Sequence, residues 1–400
     1  MLVVHVGVAV LAVVAASRAL RPLCRITGQP TVVADMAAGI LLGPSFLGWI
    51  APGFSRLLFA PDAIEPLAWV AQVGVVLYMF LVGAELDFEH ARAQVRSTAG
   101  VALAGFIVPV ILGSLLGATL DPGLMPAGRP LWQAALFMGV AMAMTAFPVL
   151  ARILADTGLI ATRLGARALS CAALADVIVW TAVGLLVGAF EGGSGAAWSP
   201  VVAFLFVGGM LAVVRPLTAR VASGPIGRGP LGPLVALIAL LVVALAAELA
   251  GVHAVVGAFL LGIGVPHESA LARTMHARLS LAAGVVLPAF FAIAGLRTQI
   301  GLVQGISGWA ACVAIIMVAT IGKLGATAAA ARLSGSGWME ATRLGVLMNV
   351  RGLMEIVVLN VGLDLGLVSP PLYTMMVLMA LATTVMAVPA IRLLAERTAA

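Results

Sequence analysis

The sequence predicts an all-α polytopic membrane protein with about 13 transmembrane helices, and three observations support this fold class. The 400 residues are 62% hydrophobic with a mean hydropathy of +1.17, which is more apolar surface than a soluble domain can bury. Apolar stretches recur every 20 to 35 residues, without the period-two alternation of a membrane β-barrel. Only 10% of the residues are charged, and the arginines concentrate in short loops, as membrane topology requires.

Thirteen apolar segments are candidate membrane spans. The first has no basic region ahead of it, so we expect a true membrane helix rather than a cleaved signal. The ninth is short and follows closely on the eighth. The predicted spans are residues 2–18, 30–50, 66–85, 98–118, 131–153, 164–190, 199–219, 231–250, 252–266, 280–297, 308–331, 341–363 and 371–391.

The arginines give these spans an orientation. Loops after odd-numbered spans, together with the C-terminus, hold seventeen arginines, whereas loops after even-numbered spans hold two, Arg56 and Arg129. Basic residues are retained on the cytoplasmic side of a membrane. The count therefore predicts an N-terminus outside the cell and a C-terminus in the cytoplasm, with residues 1–396 forming a single membrane domain.

The two halves of the chain resemble each other. The segment GQPTVVADMAAGILLGP begins at Gly28, and GVHAVVGAFLLGIGVP begins at Gly251, at an offset of 223 residues. Residues 145–148 interrupt the fifth span and residues 349–352 interrupt the twelfth. Spans two to six would then recur, inverted, as spans nine to thirteen, which is typical of transporters that bind near the membrane midplane. Glycine-rich helices can look alike by chance, but the phase of this repeat agrees with the independent arginine count.

Two charges lie inside apolar spans. Lys323 is the only lysine of the chain and lies in the eleventh span, and Asp176 is the only charge of residues 168–190 in the sixth. A charge inside the bilayer costs about 2.5–3.5 kcal/mol, and such residues usually mark ion or proton pathways. Each lies nine residues from an arginine at the end of its span, Arg332 or Arg167, so both would lie about 13 Å deep.

Asp176 is the candidate binding group. A carboxyl group out of water can hold either a proton or a bare monovalent cation, and this exclusive occupancy is a sufficient basis for exchange. The alternative is a structural aspartate bonded to backbone or to lysine. We expect Pro148 to break the fifth span through a clash with the carbonyl of Met144. The freed carbonyls and the hydroxyl of Thr145 could then replace water around a cation, although a plain proline kink is the alternative.

Other polar residues have more ordinary interpretations. Arg351 and Glu355 are four residues apart, so they share a helix face and could neutralise each other and hold the break together rather than contact the ion. Asp35 could line the ion's access path from the cytoplasm. Glu248 and Arg297 lie near predicted outer ends, where snorkelling is a sufficient explanation. The sequence has no cluster of metal ligands, phosphate loop or basic–aromatic patch, so we expect no cofactor and no nucleic-acid partner.

The chain resembles the monovalent cation/proton antiporter superfamily, the sodium/hydrogen exchangers, in the branch with bacterial potassium-efflux antiporters and plant cation/H⁺ exchangers. The resemblance covers nearly the whole chain, and its motifs are specific together although each is weak alone. They are GQPTVVADMAAGILLGPSFLG (28–48), FLVGAELD (80–87), TAFPVLARIL (145–154), ALADVIVW (173–180), GVHAVVGAFLLG (251–262), FFAIAGLRTQI (290–300), GKLG (322–325) and MNVRGLMEIVVLNVGLDLG (348–366).

The resemblance implies a site and a moving domain. Two broken helices would cross at the ion site, Asp176 would bind the ion, and Lys323 would lie nearby. Core helices, about 98–190 and 308–391, would move against scaffold helices, about 2–85 and 199–297, that form a homodimer. The residues expected to form or support the broken helices are Phe147, Pro148, Asn349, Arg351 and Glu355.

The chain departs from this family pattern in two ways. Ala175 precedes Asp176 where many relatives carry a second aspartate or an asparagine, so the usual partner of the lysine is missing and the stoichiometry stays open. Potassium-efflux relatives often carry a C-terminal nucleotide-binding domain. This sequence ends about nine residues after its last predicted span. We therefore expect no C-terminal soluble regulatory domain and allow a separate regulatory subunit.

The expected function is secondary antiport of Na⁺ or K⁺ against H⁺ across a bacterial cytoplasmic membrane, without enzyme activity. Asp176 would be the shared site for cation and proton, and the transported cation would be the metal ion that it holds. Thr145 would complete the cation's oxygen shell, and Lys323 would compete with the cation for Asp176. The alternatives are an organic-solute transporter on the same architecture and a non-transporting or enzymatic membrane protein derived from an antiporter.

Overall fold

The computed structural model describes residues 2–396, apart from 30, 60, 86–87, 160–161, 191–201, 203–204, 207 and 251–253. Every regular element in this part of the chain is helical. The α-helices are α1 Leu2–Ile26, α2 Thr31–Leu42, α3 Leu47–Ile50, α4 Pro52–Leu58, α5 Pro61–Glu85, α6 Phe88–Thr119, α7 Leu131–Met142, α8 Phe147–Asp156, α9 Arg163–Phe190, α10 Arg215–Ser223, α11 Pro225–Arg228, α12 Gly232–Leu249, α13 Ala254–Ile263, α14 Ala270–Arg297, α15 Gly305–Leu333, α16 Trp338–Met348, α17 Leu353–Asp364 and α18 Pro370–Glu396.

The predicted spans correspond to helical segments in the described part of the chain. Residue 30 of the second span, residues 199–201, 203–204 and 207 of the seventh and residues 252–253 of the ninth lie outside it. Eight described stretches of at least 18 residues are apolar enough to cross a membrane. A bilayer-spanning backbone must satisfy its own hydrogen bonds, which an α-helix does. The predicted all-helical membrane class is confirmed, whereas the count of thirteen crossings stays a prediction.

Some helices extend beyond the apolar run that predicted them. Helix α14 begins at Ala270, ten residues before the predicted start of the tenth span. Its first turn is capped by Ser269, whose Oγ accepts from the backbone N–H of Ala272 at 3.0 Å. This cap allows the helix to begin in a more polar stretch of sequence. A search for apolar segments does not detect the start of such a helix.

The chain divides into two compact units. Unit 1 comprises Met1–Ile64, Ala93–Val179 and Phe291–Ala400, and unit 2 comprises Glu65–Arg92 and Trp180–Phe290. Unit 1 therefore groups residues 98–179 and 308–391 of the predicted core with the first 64 residues, which the prediction assigned to the scaffold. Residues 180–190 of the predicted core belong to unit 2. Which helices move together stays a prediction, since contacts within a unit do not measure motion.

Unit 1 contains two broken helices whose breaks contact each other. Helices α7 and α8 are separated by residues 143–146, and α16 and α17 by residues 349–352. The hydroxyl of Thr145 donates to the carbonyl of Met348 at 2.9 Å, and the N–H of Ala146 donates to the carbonyl of Val350 at 2.9 Å. The predicted crossing of two discontinuous helices is confirmed.

The cause predicted for the first break needs correction. Pro148 stands at the second position of α8, and the break precedes it. The first N–H groups of a helix have no partner within it, so proline is tolerated there. The predicted clash with the carbonyl of Met144 does not apply, because Met144 is not in a helix. The side chain of Pro148 lies outside the described part of the structure.

Unit 2 is held together by close helix packing. Gly83 of α5 and Gly262 of α13 let the two backbones approach, and a Cβ atom on Gly262 would lie 2.2 Å from the carbonyl oxygen of Phe80. Glu248 Oε1, at the end of α12, accepts from the N–H of Ala254 at 2.9 Å. This carboxylate therefore caps the start of α13. From the sequence, Glu248 was explained by snorkelling alone, and this structural role was not predicted.

Candidate functional site

The C-terminal end of α7 is closed by two basic side chains from distant helices. The last carbonyls of a helix have no partner within it and carry a partial negative charge. Lys323 Nζ donates to the carbonyl of Ala143. Arg351 Nη2 donates to the carbonyl of Met142 at 2.5 Å, and its Nη1 lies 3.5 Å from that of Ala141. The carbonyls of Ala141, Met142 and Ala143 are thus bound by these two side chains, and the Met144 carbonyl, which the sequence assigned to the cation, is not among them.

Arg351 is also held through its backbone and by an acid. Its N–H donates to Thr384 Oγ1 at 3.1 Å, and the same hydroxyl donates to the carbonyl of Arg351 at 2.6 Å. Its Nη1 lies 3.6 Å from Glu355 Oε1, and both side chains are at most 1% exposed. The predicted pairing of Arg351 with Glu355 is therefore present. Thr384, which fixes the second break against α18, was not predicted, and its only signal is a polar Thr383–Thr384 pair in an apolar span.

Lys323 interacts electrostatically with three other buried charges. It is 0% exposed on α15. The charges of Arg351, Asp176 and Glu355 all act on it. The structure therefore brings together four of the site residues that the sequence singled out, from helices α9, α15 and α17 and from the break before α17.

Asp176 has neither a hydrogen bond nor a close ion pair among the described residues, whereas Glu355, whose oxygens also lack a hydrogen bond, is ion-paired with Arg351. The Asp176 side chain is 1% exposed, and neither of its carboxylate oxygens is hydrogen-bonded to any described residue. Lys323 acts on it through its charge while donating to Ala143. An aspartate bonded to backbone or lysine, the structural alternative, is therefore not observed in the described part. A buried carboxylate without partners is costly, so this group is favoured with a bound proton or cation.

Three further predicted residues lie at the crossing. Thr145 is 0% exposed. Its hydroxyl donates to the carbonyl of Met348, and the hydroxyl oxygen can still act as an acceptor. Asn349 is 5% exposed, and its Oδ1 has no hydrogen-bond partner among the described residues. Phe147 is 6% exposed at the start of α8. Thr145 and Asn349 thus supply oxygen atoms beside the breaks.

Two other polar residues have partners elsewhere in unit 1. Asp35 on α2 accepts from Ser17 and lies 3.4 Å from Arg21 Nη2, both on α1. It is not among the groups whose charges act on Asp176 or Lys323, and its place on an access path stays a prediction. Arg297 Nη1 lies 2.8 Å from Asp364 Oδ1, so this arginine is paired rather than simply snorkelling.

Sequence comparison finds relatives over nearly the whole chain. The model of the transmembrane sodium/hydrogen exchanger family matches residues 9–397. Cation/H(+) antiporter 19 of Arabidopsis thaliana is 34% identical over 92% of this chain and 46% of its own length. Na(+)/H(+) antiporter NhaS4 of Synechocystis is 34% identical over 90% of both proteins. K(+)/H(+) antiporter 1 of Saccharomyces cerevisiae is 30% identical over 90% of this chain and 43% of its own.

A solved structure shares the fold. The sodium proton antiporter MjNhaP1 of Methanocaldococcus jannaschii superposes with a TM-score of 0.69 over 98% of both chains, at 13% sequence identity. Similarity at this identity shows the fold alone. This chain spans slightly less than half the length of the plant and yeast relatives.

Proposed function

Because this chain belongs to the transmembrane sodium/hydrogen exchanger family, we propose that it exchanges a monovalent cation, Na⁺ or K⁺, for H⁺ across a membrane by alternating access. The family consists of multi-pass membrane transporters, so the predicted transporter class is confirmed over the enzymatic alternative. Relatives are named for Na⁺/H⁺ and for K⁺/H⁺ exchange, so we keep both cations.

Asp176 carries this proposal. It is buried, its two oxygens have no hydrogen-bond partner among the described residues, and it lies within the field of Lys323. A proton or a monovalent cation would each neutralise it, and both cannot occupy it at once. Because the site holds either a proton or a cation but not both, transport of the cation in one direction is coupled to transport of the proton in the other.

The remaining oxygen ligands come from the crossing. The carbonyls of Ala141, Met142 and Ala143 are engaged by Lys323 and Arg351. We therefore take Thr145 Oγ1, Asn349 Oδ1 and the Met144 carbonyl as the candidate ligands that would join Asp176. Sodium and potassium ions both take hard oxygen ligands of this kind. Lys323 opposes the cation by its charge, so cation binding is favoured only when Asp176 is ionised.

The buried charges favour one cation for one proton. Among the described residues of unit 1, Asp176, Glu355, Lys323 and Arg351 are at most 1% exposed. These two acids and two bases balance when all are charged. Adding a proton or a monovalent cation at Asp176 raises the net charge by the same unit, so both strokes of the cycle carry equal charge.

The proposal also covers the membrane, the orientation of the chain, the moving helices and the oligomeric state. We place the protein in a bacterial cytoplasmic membrane, with its N-terminus outside and its C-terminus inside, on the basis of the arginine count. Helices at about 98–190 and 308–391 would form the moving core of a homodimer. A separate polypeptide could regulate it.

A cation panel in proteoliposomes tests this function. Protein reconstituted with a trapped pH-sensitive dye should show alkalinisation or acidification when Na⁺ or K⁺ gradients are imposed, and none with choline of equal osmolarity. Protein-free liposomes are the control. No proton movement with any monovalent cation, together with uptake of an organic solute, would replace antiport by the organic-solute alternative.

A further inference from the structure

Unit 2 contains an apolar cavity, and its lining residues all belong to that unit. Its volume is about 220 Å³, larger than the engineered cavity of about 150 Å³ that binds benzene in another protein. The lining is apolar side chains almost throughout, so water has few partners there. Representative lining residues are Phe80, Val214, Leu217, Ala239, Val242 and Leu261.

The cavity runs from the surface of the unit into its interior. Phe80 and Leu261 are 0% and 2% exposed, whereas Leu217 and Val242 are 56% and 60% exposed. Residues Met210–Val214 form a π-helical turn, and its last residue lines the cavity. Such turns are rare and occur frequently at functional sites. A long flexible chain could therefore enter from the exposed side at Leu217 and Val242.

Arginines flank the lining residues. Residues 201–247 contain Arg215, Arg220 and Arg228 and no acidic residue. Arg220 precedes the lining residue Val221, and Arg228 follows the lining residue Gly227. Both arginine side chains are exposed. The arginine count assigns this loop to the cytoplasmic side, whose leaflet carries anionic lipid.

We propose that this cavity binds one acyl chain of an anionic phospholipid whose phosphate is held by Arg220 and Arg228. The apolar lining matches a hydrocarbon chain, and the neighbouring cations match a charged head group. A second copy of this chain is the rival occupant, but a folded surface offers no long apolar projection to fill an inward cavity. The proposal does not depend on the transported ion.

Native mass spectrometry measures the binding directly. Protein in detergent is titrated with phosphatidylglycerol or with phosphatidylcholine of identical acyl chains. We expect one retained phosphatidylglycerol per protomer and a higher unfolding temperature than with phosphatidylcholine. Equal retention of the two lipids would overturn the proposal.

Charge variants test the head-group site. Arg220→Gln with Arg228→Gln should weaken phosphatidylglycerol binding by roughly fivefold for each arginine. Arg18→Gln, which removes an exposed arginine of α1 on the same predicted face, is the control. A loss as large with Arg18→Gln as with either cavity arginine would show a general surface attraction and reject the site.

A filling variant tests the acyl-chain site. Ala239→Leu adds volume inside the cavity, and Ala244→Leu adds the same volume on α12 outside the lining. We expect loss of the retained lipid only with Ala239→Leu. If that variant instead shifts the monomer–dimer equilibrium while lipid binding is unchanged, a second copy occupies the surface. If Ala239→Leu does not fold, the arginine variants alone decide.

Discussion

Asp176 and Glu355 are both buried carboxylates in unit 1, but their surroundings differ. Neither carboxylate has a hydrogen-bond partner among the described residues, but Glu355 Oε1 lies 3.6 Å from Arg351 Nη1, and Asp176 has no ion pair at such a distance there. A fixed arginine beside Glu355 compensates its charge permanently. Asp176 is compensated only at longer range by Lys323, so it remains available to a mobile ion.

Removing Arg351 should destabilise the protein strongly. Arg351→Gln removes the close countercharge of Glu355 and frees the carbonyl of Met142, at an expected cost of about 3–5 kcal/mol. Denaturant unfolding in detergent measures it. Adding Glu355→Gln should recover part of the loss, because the unpaired charge is then gone.

The control for that variant is an exposed pair. Glu340 lies 3.6 Å from Arg167, and its side chain is 45% exposed. Glu340→Gln should cost less than about 1 kcal/mol, as surface ion pairs do. If Arg351→Gln were no more destabilising than Glu340→Gln, the buried pair would not hold the break.

Single charges in apolar runs were sufficient to find Asp176 and Lys323, because a charge in a bilayer is rarely accidental. The partners of these residues could not be found in that way. Lys323 and Ala143 are 180 residues apart, and Thr384 and Arg351 are 33 apart. Such bonds depend on how helices pack, which no local pattern in one sequence records.

At the scale of elements, the breaks are held by tertiary bonds rather than by proline. The sequence located both breaks within a few residues, since polar residues and a proline interrupt apolar spans. It attributed the first to Pro148, whereas Lys323, Arg351 and the Ala146–Val350 bond hold it. Gly352 contributes a φ of +158°, which other residues rarely adopt.

Thr384→Val should loosen the second break. The change keeps the shape but leaves the N–H of Arg351 without this acceptor, at an expected cost of about 1–3 kcal/mol. Thr383→Val is the matched control, because among the described residues that hydroxyl bonds carbonyls of its own helix, those of Met379 and Ala380. Thermal unfolding and apparent cation affinity are the measurements. Equal effects of the two variants on unfolding temperature and cation affinity would show that the Thr384 hydroxyl does not hold the second break.

Pro148→Ala should leave the first break intact. Proline at the start of a helix mainly restricts the unfolded chain, so its loss should cost about 0.4–1 kcal/mol of stability. Apparent cation affinity, measured from the concentration dependence of exchange, should not change. A weakened affinity in a folded variant would restore the role that the sequence assigned to this proline.

At the scale of the whole molecule, composition and the arginine count predicted a helical membrane protein. The bilayer requires apolar helical spans and keeps basic residues in the cytoplasmic loops, so both features can be read from the sequence. Grouping of the first 64 residues with unit 1 was not predicted. The repeat pattern compares segments with each other but does not measure which segments pack together.

Exchange should be electroneutral. The balanced buried charges predict that transport in proteoliposomes, with the membrane potential clamped at several values, proceeds at the same rate and to the same end-point. The rival cycle releases the proton of Lys323 as the cation binds and moves two protons per cation. Dependence on potential that disappears in an active Lys323→Gln variant would establish that rival.

The central claim is that Asp176 alone exchanges a proton for a cation, and its most direct test is cation-driven proton movement in proteoliposomes containing Asp176→Asn. This change keeps the shape of the side chain but removes its charge and its ability to release a proton. Asp35→Asn, which alters another buried aspartate paired with α1, is the matched control. We predict proton movement at the protein-free background for Asp176→Asn and clear exchange for Asp35→Asn. Wild-type exchange by a folded Asp176→Asn protein would contradict the account.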